Sequence, residues 1–123
     1  MKKITLLAII LASGLSFALL QNKNYSQLDP SNFIKSYKSQ KGNSLLIDVR
    51  TPSEFKNGTI QDAKNINFYK DNFEQEISKL DTTKTAFIFC KSGGRSKKAS
   101  SLFFKVGFSK VVDLEGGYSK YKN

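Results

Sequence analysis

Histidine is absent from this chain of 123 residues, and cysteine occurs once, at Cys90. Without histidine, no imidazole can act as a general base. With one cysteine no internal disulfide can form, so the fold depends on its core, which a single domain of this length can supply. Arginine is nearly absent as well: of the twenty basic residues only Arg50 and Arg95 are not lysine. The formal charge is +10, but the lysines stand singly or in pairs. There is no long basic run and no aromatic interleaving, so a nucleic-acid partner is not expected. The charge reads as solubility with a mild attraction for small anions. No metal site and no cofactor are expected.

The first twenty residues differ from the rest. Lys2 and Lys3 precede an almost unbroken apolar run from Ile4 to Leu20. Ser16-Phe17-Ala18 presents small residues where a signal peptidase reads, so residues 1–18 are expected to be a signal peptide cleaved after Ala18. The alternative is an uncleaved anchor reaching about residue 20, since the run approaches the length that spans a bilayer; Ser13, Gly14 and Ser16 weaken it. On either reading the folded part lies outside the cytoplasm, most simply in a periplasm. A lone thiol there is open to oxidation, which suggests that its reactivity is used. Residues 19–26, polar after the run, read as a linker, and 27–123 as one domain.

Along that domain, Asp29-Pro30 is an N-cap followed by proline at the first helical position, and Phe33, Ile34 and Tyr37 give the helix an apolar face. Leu45 to Val49 is a buried strand. Thr51-Pro52-Ser53-Glu54 reads as a capping box opening a short helix that Gly58 ends. Ile60 to Asn67 looks extended, and Phe73, Ile77 and Leu80 recur at helical spacing. Thr85 to Phe89 is a second buried strand with Cys90 at its tip. A helix from about Ser96 to Val106 carries Ala99, Leu102, Phe103 and Val106, and Val111 to Leu114 is a third strand. A short helical turn through Tyr118 and Tyr121 follows Gly116-Gly117. Strands alternating with helices specify an α/β domain with a mostly parallel sheet.

In such sheets ligands bind beyond the carboxyl ends of the strands. Lys91-Ser92-Gly93-Gly94-Arg95 follows Cys90 there. The glycines let the backbone curl so that amides converge on one point, and the start of the next helix adds unpaired N–H groups. Lys91 and Arg95 add positive charge. These features favour the thiolate, which is the nucleophilic form of cysteine. Arginine at position 95 in so lysine-rich a chain suggests that a planar, bidentate fork is needed there.

The stretch CKSGGRS, Cys90 to Ser96, resembles the active-site loop of the rhodanese family. LLIDVRTPSEFKNGTIQDAKNIN, Leu45 to Asn67, is similar to that family's N-terminal signature through Asp48, Arg50, Glu54, Gly58, Ile60 and Ala63. GFSKVVDLEGGYSKY, Gly107 to Tyr121, is similar to its C-terminal signature. The resemblance implies a rhodanese-like, five-stranded, mostly parallel central sheet flanked by helices. It also implies a sulfurtransferase that moves sulfane sulfur from a small anionic donor such as thiosulfate to a thiol or cyanide acceptor through a Cys90 persulfide. Lys91, Ser92, Gly93, Gly94, Arg95 and Ser96 would then cradle the sulfur, with Arg95 on the donor. Asp48, Arg50 and Glu54 would brace the site without taking part in the chemistry.

Two positions depart from the family pattern. Thr59 stands where histidine is usual, and Tyr121 where tryptophan is common. A pre-ionised thiolate needs no histidine, so the first departure leaves the chemistry intact. Two other readings compete. A cysteine phosphatase or arsenate reductase would place five residues between cysteine and arginine, and here there are four. A binding module that keeps the fold without turnover would be free to lose the cysteine, which this chain keeps.

Overall fold

The computed structural model describes residues 23–123. The expected signal segment, residues 1–18, lies outside the described residues. Five strands form one sheet: β1 (Asn24–Leu28), β2 (Ser44–Asp48), β3 (Lys64–Asn65), β4 (Thr85–Phe89) and β5 (Lys110–Leu114). Their order across the sheet is β1-β5-β4-β2-β3, and every pairing is parallel. The helices are α1 (Pro30–Ser39), α2 (Pro52–Lys56), α3 (Phe73–Ser78), α4 (Gly94–Lys105) and α5 (Gly117–Lys122). Among the described residues no helix is long and apolar enough to cross a membrane.

Local chemistry places the helix starts. The Asp29 side chain accepts from the amide of Asn32 at 3.1 Å, with Pro30 directly after it. At α2 the capping box is complete: Thr51 Oγ1 accepts from Glu54 N at 3.3 Å, and Glu54 Oε1 accepts from Thr51 N at 3.2 Å. This box stops β2 and turns the chain at the end of the strand, beside the tip of β4.

Both faces of the sheet are covered. On one, Ile47, Ile88, Val111 and Cys90 pack against Phe73, Ile77, Ala99 and Phe103 of α3 and α4. On the other, Leu46, Phe87, Phe89 and Leu114 pack against Phe33 of α1 and Tyr118 of α5. The central strand β4 is buried at all five positions, as a strand covered on both sides must be. The chain leaves β2 towards β3 and leaves β4 towards β5, in opposite directions. The tips of β2 and β4 therefore flank the crevice where parallel sheets bind ligands.

The structure differs from the expectations in three places. Residues 24–26, read as part of a linker, begin β1, so the domain starts earlier than residue 27. This is an edge strand whose Asn24 and Gln27 are exposed while Tyr25 and Leu28 are partly buried, and its solvent-facing polar groups give it the composition of a linker. The extended segment from Ile60 to Asn67 pairs only at Lys64–Asn65, because the chain turns at Asp62, whose φ is +76°. Helix α4 begins at Gly94, two residues before Ser96, so Arg95 lies on the helix. Helix α2 ends at Lys56 with Asn57 as its cap, and Gly58 directly after it, with φ +134°, ends the helix as expected.

Phe103 is fully buried, with ring centroids 5.3 Å from Phe108 and 6.1 Å from Phe73. Phe103→Ala is expected to lower the free energy of unfolding by about 3–5 kcal/mol, since the surrounding rings cannot close the space. A shift in the urea midpoint at unchanged slope is the measurement that checks it.

Candidate active site

Cys90 directly follows β4 and faces the same side of the sheet as Ala86 and Ile88. Its sulfur accepts a hydrogen bond from the amide of Gly93 at 3.0 Å and lies 3.4 Å from the hydroxyl of Ser96. Cys90 is 1 % exposed. Above it, Lys91, Ser92 and Gly94 are exposed, and Gly93 and Arg95 are half-buried. The sulfur thus lies buried beneath a loop that carries the cations Lys91 and Arg95.

Two carbonyls of this loop are bound by the C-terminal helix. Tyr118 N donates to the Cys90 carbonyl at 2.8 Å, and Ser119 N donates to the Lys91 carbonyl at 2.9 Å. The first turn of α5 therefore holds the carbonyls of Cys90 and Lys91, and the Gly93 amide is directed at the sulfur. Gly117 permits this contact. Its φ is +65°, and a β-carbon there would lie 2.6 Å from Ser92 N. Gly93, with φ +109°, reverses the chain into α4. The amides that open α4 are the unpaired donors of a helix start.

The three residues expected to brace the site form two clusters. Asp48 and Arg50 are both buried and paired through two oxygens, with Arg50 Nε on Oδ1 at 3.0 Å and Nη2 on Oδ2 at 2.7 Å. Nη2 also donates to the Gly58 carbonyl at 2.7 Å, and the guanidinium lies 4.3 Å from the centre of the Tyr118 ring. Arg50 thereby links the tip of β2 to the helix that holds the cysteine loop. Thr59 adds a 2.9 Å hydrogen bond to Asp48 Oδ2, so the residue that departs from the family pattern completes the carboxylate's partners.

Glu54 holds Arg95. Nη1 donates to Oε1 at 2.7 Å and Nη2 to Oε2 at 2.9 Å, across the top of the crevice. Two of the five guanidinium N–H groups are therefore committed to a protein carboxylate. The hydrogen bond from Arg95 holds the Glu54 carboxyl down to about 2 against burial, which acts the other way. The exposed ring of Tyr69 lies 5.6 Å from the Arg95 guanidinium. Beside the loop a cleft of about 260 Å³ is lined by Arg50, Glu54, Lys91, Tyr118 and Lys122.

Several contributors escaped the sequence reading. Gly117 and Tyr118 were visible only as parts of a C-terminal signature, because nothing in the sequence shows that they touch the cysteine loop. Tyr69 carries no local signal. Asp113 did carry one: it is an acidic residue at an inward position of a buried strand, and it is fully buried in the fold. Among the described residues no cluster of three or more acidic or cysteine side chains could hold a metal ion.

Residues 34–123 match the family model described as a rhodanese-like domain. The chain is 33 % identical over 115 residues to a protein named tRNA uridine(34) hydroxylase from Pelagibacter ubique, covering 91 % of this chain but only 36 % of that protein. It is 33 % identical over 73 residues to a protein named sulfurtransferase from Allochromatium vinosum, covering 59 % of this chain and 66 % of the relative. The chain thus spans about a third of the first relative and about two thirds of the second. A rhodanese-related protein of Thermoplasma volcanium has the same fold, with a TM-score of 0.67 over 80 % of this chain and 91 % of that one, at 24 % identity.

Two predictions follow from the geometry. Glu54 has its carboxyl near 2 in the fold against an ordinary 4.5, so its pairing stabilises the protein above pH 4.5 and is lost as pH falls towards 2. The pair is partly open to solvent, which reduces its worth to about 1 kcal/mol. Glu54→Gln should cost that amount at neutral pH, and urea titrations should show the difference from the parent protein shrinking between pH 4.5 and 2. Gly117→Ala should destabilise by about 1–3 kcal/mol through a strained φ and a backbone clash, and should change the alkylation rate of Cys90 several-fold. Gly42 also has positive φ, at +88°, but open space around it; Gly42→Ala should leave the Cys90 rate unchanged.

Proposed function

The chain belongs to the rhodanese-like domain family, and from that premise we propose that it is a sulfurtransferase carrying sulfur on Cys90. The observation that supports this most strongly is the Gly93 amide directed at the Cys90 sulfur at 3.0 Å, in a loop whose Cys90 and Lys91 carbonyls are bound by α5. Such a site favours negative charge on sulfur, both on the thiolate before reaction and on the persulfide after it.

In this reading the Cys90 thiolate attacks the outer sulfur of an anionic donor such as thiosulfate. A sulfur–sulfur bond forms to Cys90, the donor's own sulfur–sulfur bond breaks, and sulfite leaves with the electron pair. The persulfide's outer sulfur stands about 2 Å beyond Cys90 Sγ, nearer the mouth of the ring. A thiolate or cyanide acceptor then attacks that outer sulfur, and Cys90 leaves as thiolate. Lys91, Arg95 and the first turn of α4 supply the positive field that draws both anions in. Arg95 acts on the donor from its Glu54 clasp, which fixes the guanidinium at the rim.

The hydroxylase relative aligns over 36 % of its length, and its activity is not carried over to this chain. The four residues between Cys90 and Arg95 make a smaller ring than a phosphatase needs, which favours a sulfur atom over a tetrahedral phosphate. We further propose that the chemistry takes place outside the cytoplasm, on the strength of the apolar run Ile4 to Leu20 after Lys2 and Lys3, with small-molecule partners and no nucleic acid. If that run is not cleaved, it anchors the domain to the membrane facing outward.

Incubation with thiosulfate followed by intact-mass measurement tests the function. The protein should gain the mass of one sulfur atom, and Cys90→Ala should gain none. Hydrolysis of a phosphate ester without sulfur uptake would support the phosphatase reading. Neither activity, together with specific capture of another protein, would support a binding module that keeps the fold without turnover.

A further inference from the structure

The cleft of about 260 Å³ on the α5 side of the cysteine loop takes no part in the chemistry described so far. Tyr118, Ser119 and Lys122 of α5 line it together with Arg50, Glu54 and Lys91. Arg50 is only 4 % exposed, and what remains exposed of it opens on this cleft. Its five N–H groups are unevenly used. Nε and Nη2 give their three to Asp48 and to the Gly58 carbonyl. Nη1 carries the other two, and neither meets an acceptor among the described residues. The buried polar atoms without a partner are elsewhere, on Glu74 and Asp113, so Nη1 keeps contact with solvent.

The charges around the cleft favour an anion. Arg50 with Asp48, and Arg95 with Glu54, form two neutral pairs. Both Glu54 oxygens are bound by Arg95, at 2.7 and 2.9 Å, which offsets the repulsion of that carboxylate. The lysines paired with acids among the described residues are Lys79, Lys105 and Lys120. Lys91 and Lys122 therefore bring uncompensated positive charge to the cleft. The shape is fixed in advance of any ligand. The Tyr118 ring lies 4.3 Å from the Arg50 guanidinium, and Gly58 leaves room for it: a β-carbon there would lie 2.7 Å from the Tyr118 hydroxyl.

We propose that this cleft is a carboxylate subsite, and that its occupant is the acid group of the thiol that accepts the sulfur. The identity of the occupant rests on the sulfurtransferase reading; the carboxylate site does not. Arg50 Nη1 donates to the carboxylate, and the ammonium groups of Lys91 and Lys122 neutralise it. Lys91 joins the subsite to the reaction, because it lines the cleft and directly follows Cys90, with about 3.8 Å between their α-carbons. An acceptor seated by its acid brings its thiol to the persulfide from the α5 side. The transfer itself is unchanged: the acceptor thiolate bonds to the outer sulfur, and Cys90 leaves with the electron pair. The cleft is smaller than the pockets of about 300–1,000 Å³ that enclose drug-sized ligands, which fits the acid end of a small thiol.

The test compares N-acetylcysteine with its amide as acceptors for the persulfidated full chain, at equal thiolate concentration. The acid should have a KM lower by on the order of tenfold, through its charge-assisted contacts. Lys122→Gln should reduce that preference about fivefold. Lys120→Gln makes the same charge change on the same helix outside the cleft, and the preference should survive it. A preference that is absent, or that falls equally in both variants, would overturn the subsite.

Binding is read separately with N-acetylalanine, which has the acid but no thiol. Titrated into the unmodified full chain, it should shift the amide resonances of Lys91, Tyr118 and Ser119 saturably, and bind more weakly to Lys122→Gln. A flat titration would overturn the carboxylate site whether or not the protein takes up sulfur. Saturable binding without any preference for the acid acceptor would assign the cleft to a separate small anion and overturn its role in the transfer. Binding by a protein that takes up no sulfur would uphold the carboxylate site and refute the sulfurtransferase reading, and the acceptor with it.

Discussion

The amide of Tyr118 donating to the carbonyl of Cys90 at 2.8 Å determines which way the cysteine loop faces. A peptide carries its donor and acceptor on opposite sides, so drawing the Cys90 and Lys91 carbonyls to α5 sets the course of the loop that brings the Gly93 amide onto the sulfur. Everything proposed for the sulfur depends on that orientation. The hydrogen bond in turn needs α5 to touch the loop, which needs Gly117 without a β-carbon and Tyr118 packed beneath Arg50. Arg50 is held by Asp48 at the tip of β2. A chain of contacts therefore runs from the N-terminal signature through the C-terminal one to the cysteine, and this is the physical reason that three separated motifs belong together.

The two arginines divide the electrostatic tasks. Arg50 is buried, paired and stacked, and its removal would strand the Asp48 carboxylate in the core. Arg95 is half-buried, and its pairing with Glu54 is worth less to stability but fixes a positive charge beside the cysteine loop. By sequence, Glu54 groups with Asp48 and Arg50 as residues that brace the site. The structure divides the three, with Glu54 serving the loop directly. Sequence spacing alone could not show this, because Glu54 and Arg95 are brought together only by the pairing of β2 with β4.

Much of the fold was legible because local and tertiary preferences agree. The buried strand Thr85 to Phe89, the capping box at Thr51 and the Asp29-Pro30 helix start each carry their own signal and form as expected. The misreadings lie where those signals conflict. Polar edge residues hid β1, a positive φ at Asp62 cut short the extended segment after Ile60, and two glycines masked the first turn of α4. The cysteine and its loop could be placed from sequence, since strand tip, glycines and arginine are contiguous. The partners that orient the loop come from distant elements, and only the fold identifies them. Asp113 is an intermediate case: the sequence marks it as an acid in a buried strand, and the register places it on the sheet face that carries the cysteine.

The most direct measurement is the amide nitrogen–proton spectrum of the protein before and after treatment with thiosulfate. An added sulfur on Cys90 should shift the Gly93 amide strongly, because that group donates to the sulfur, while Tyr118, bonded to the carbonyl on the far side, should move little. A Gly93 resonance that stays in place while sulfur is taken up would contradict the account, since the loop would then not be holding the sulfur.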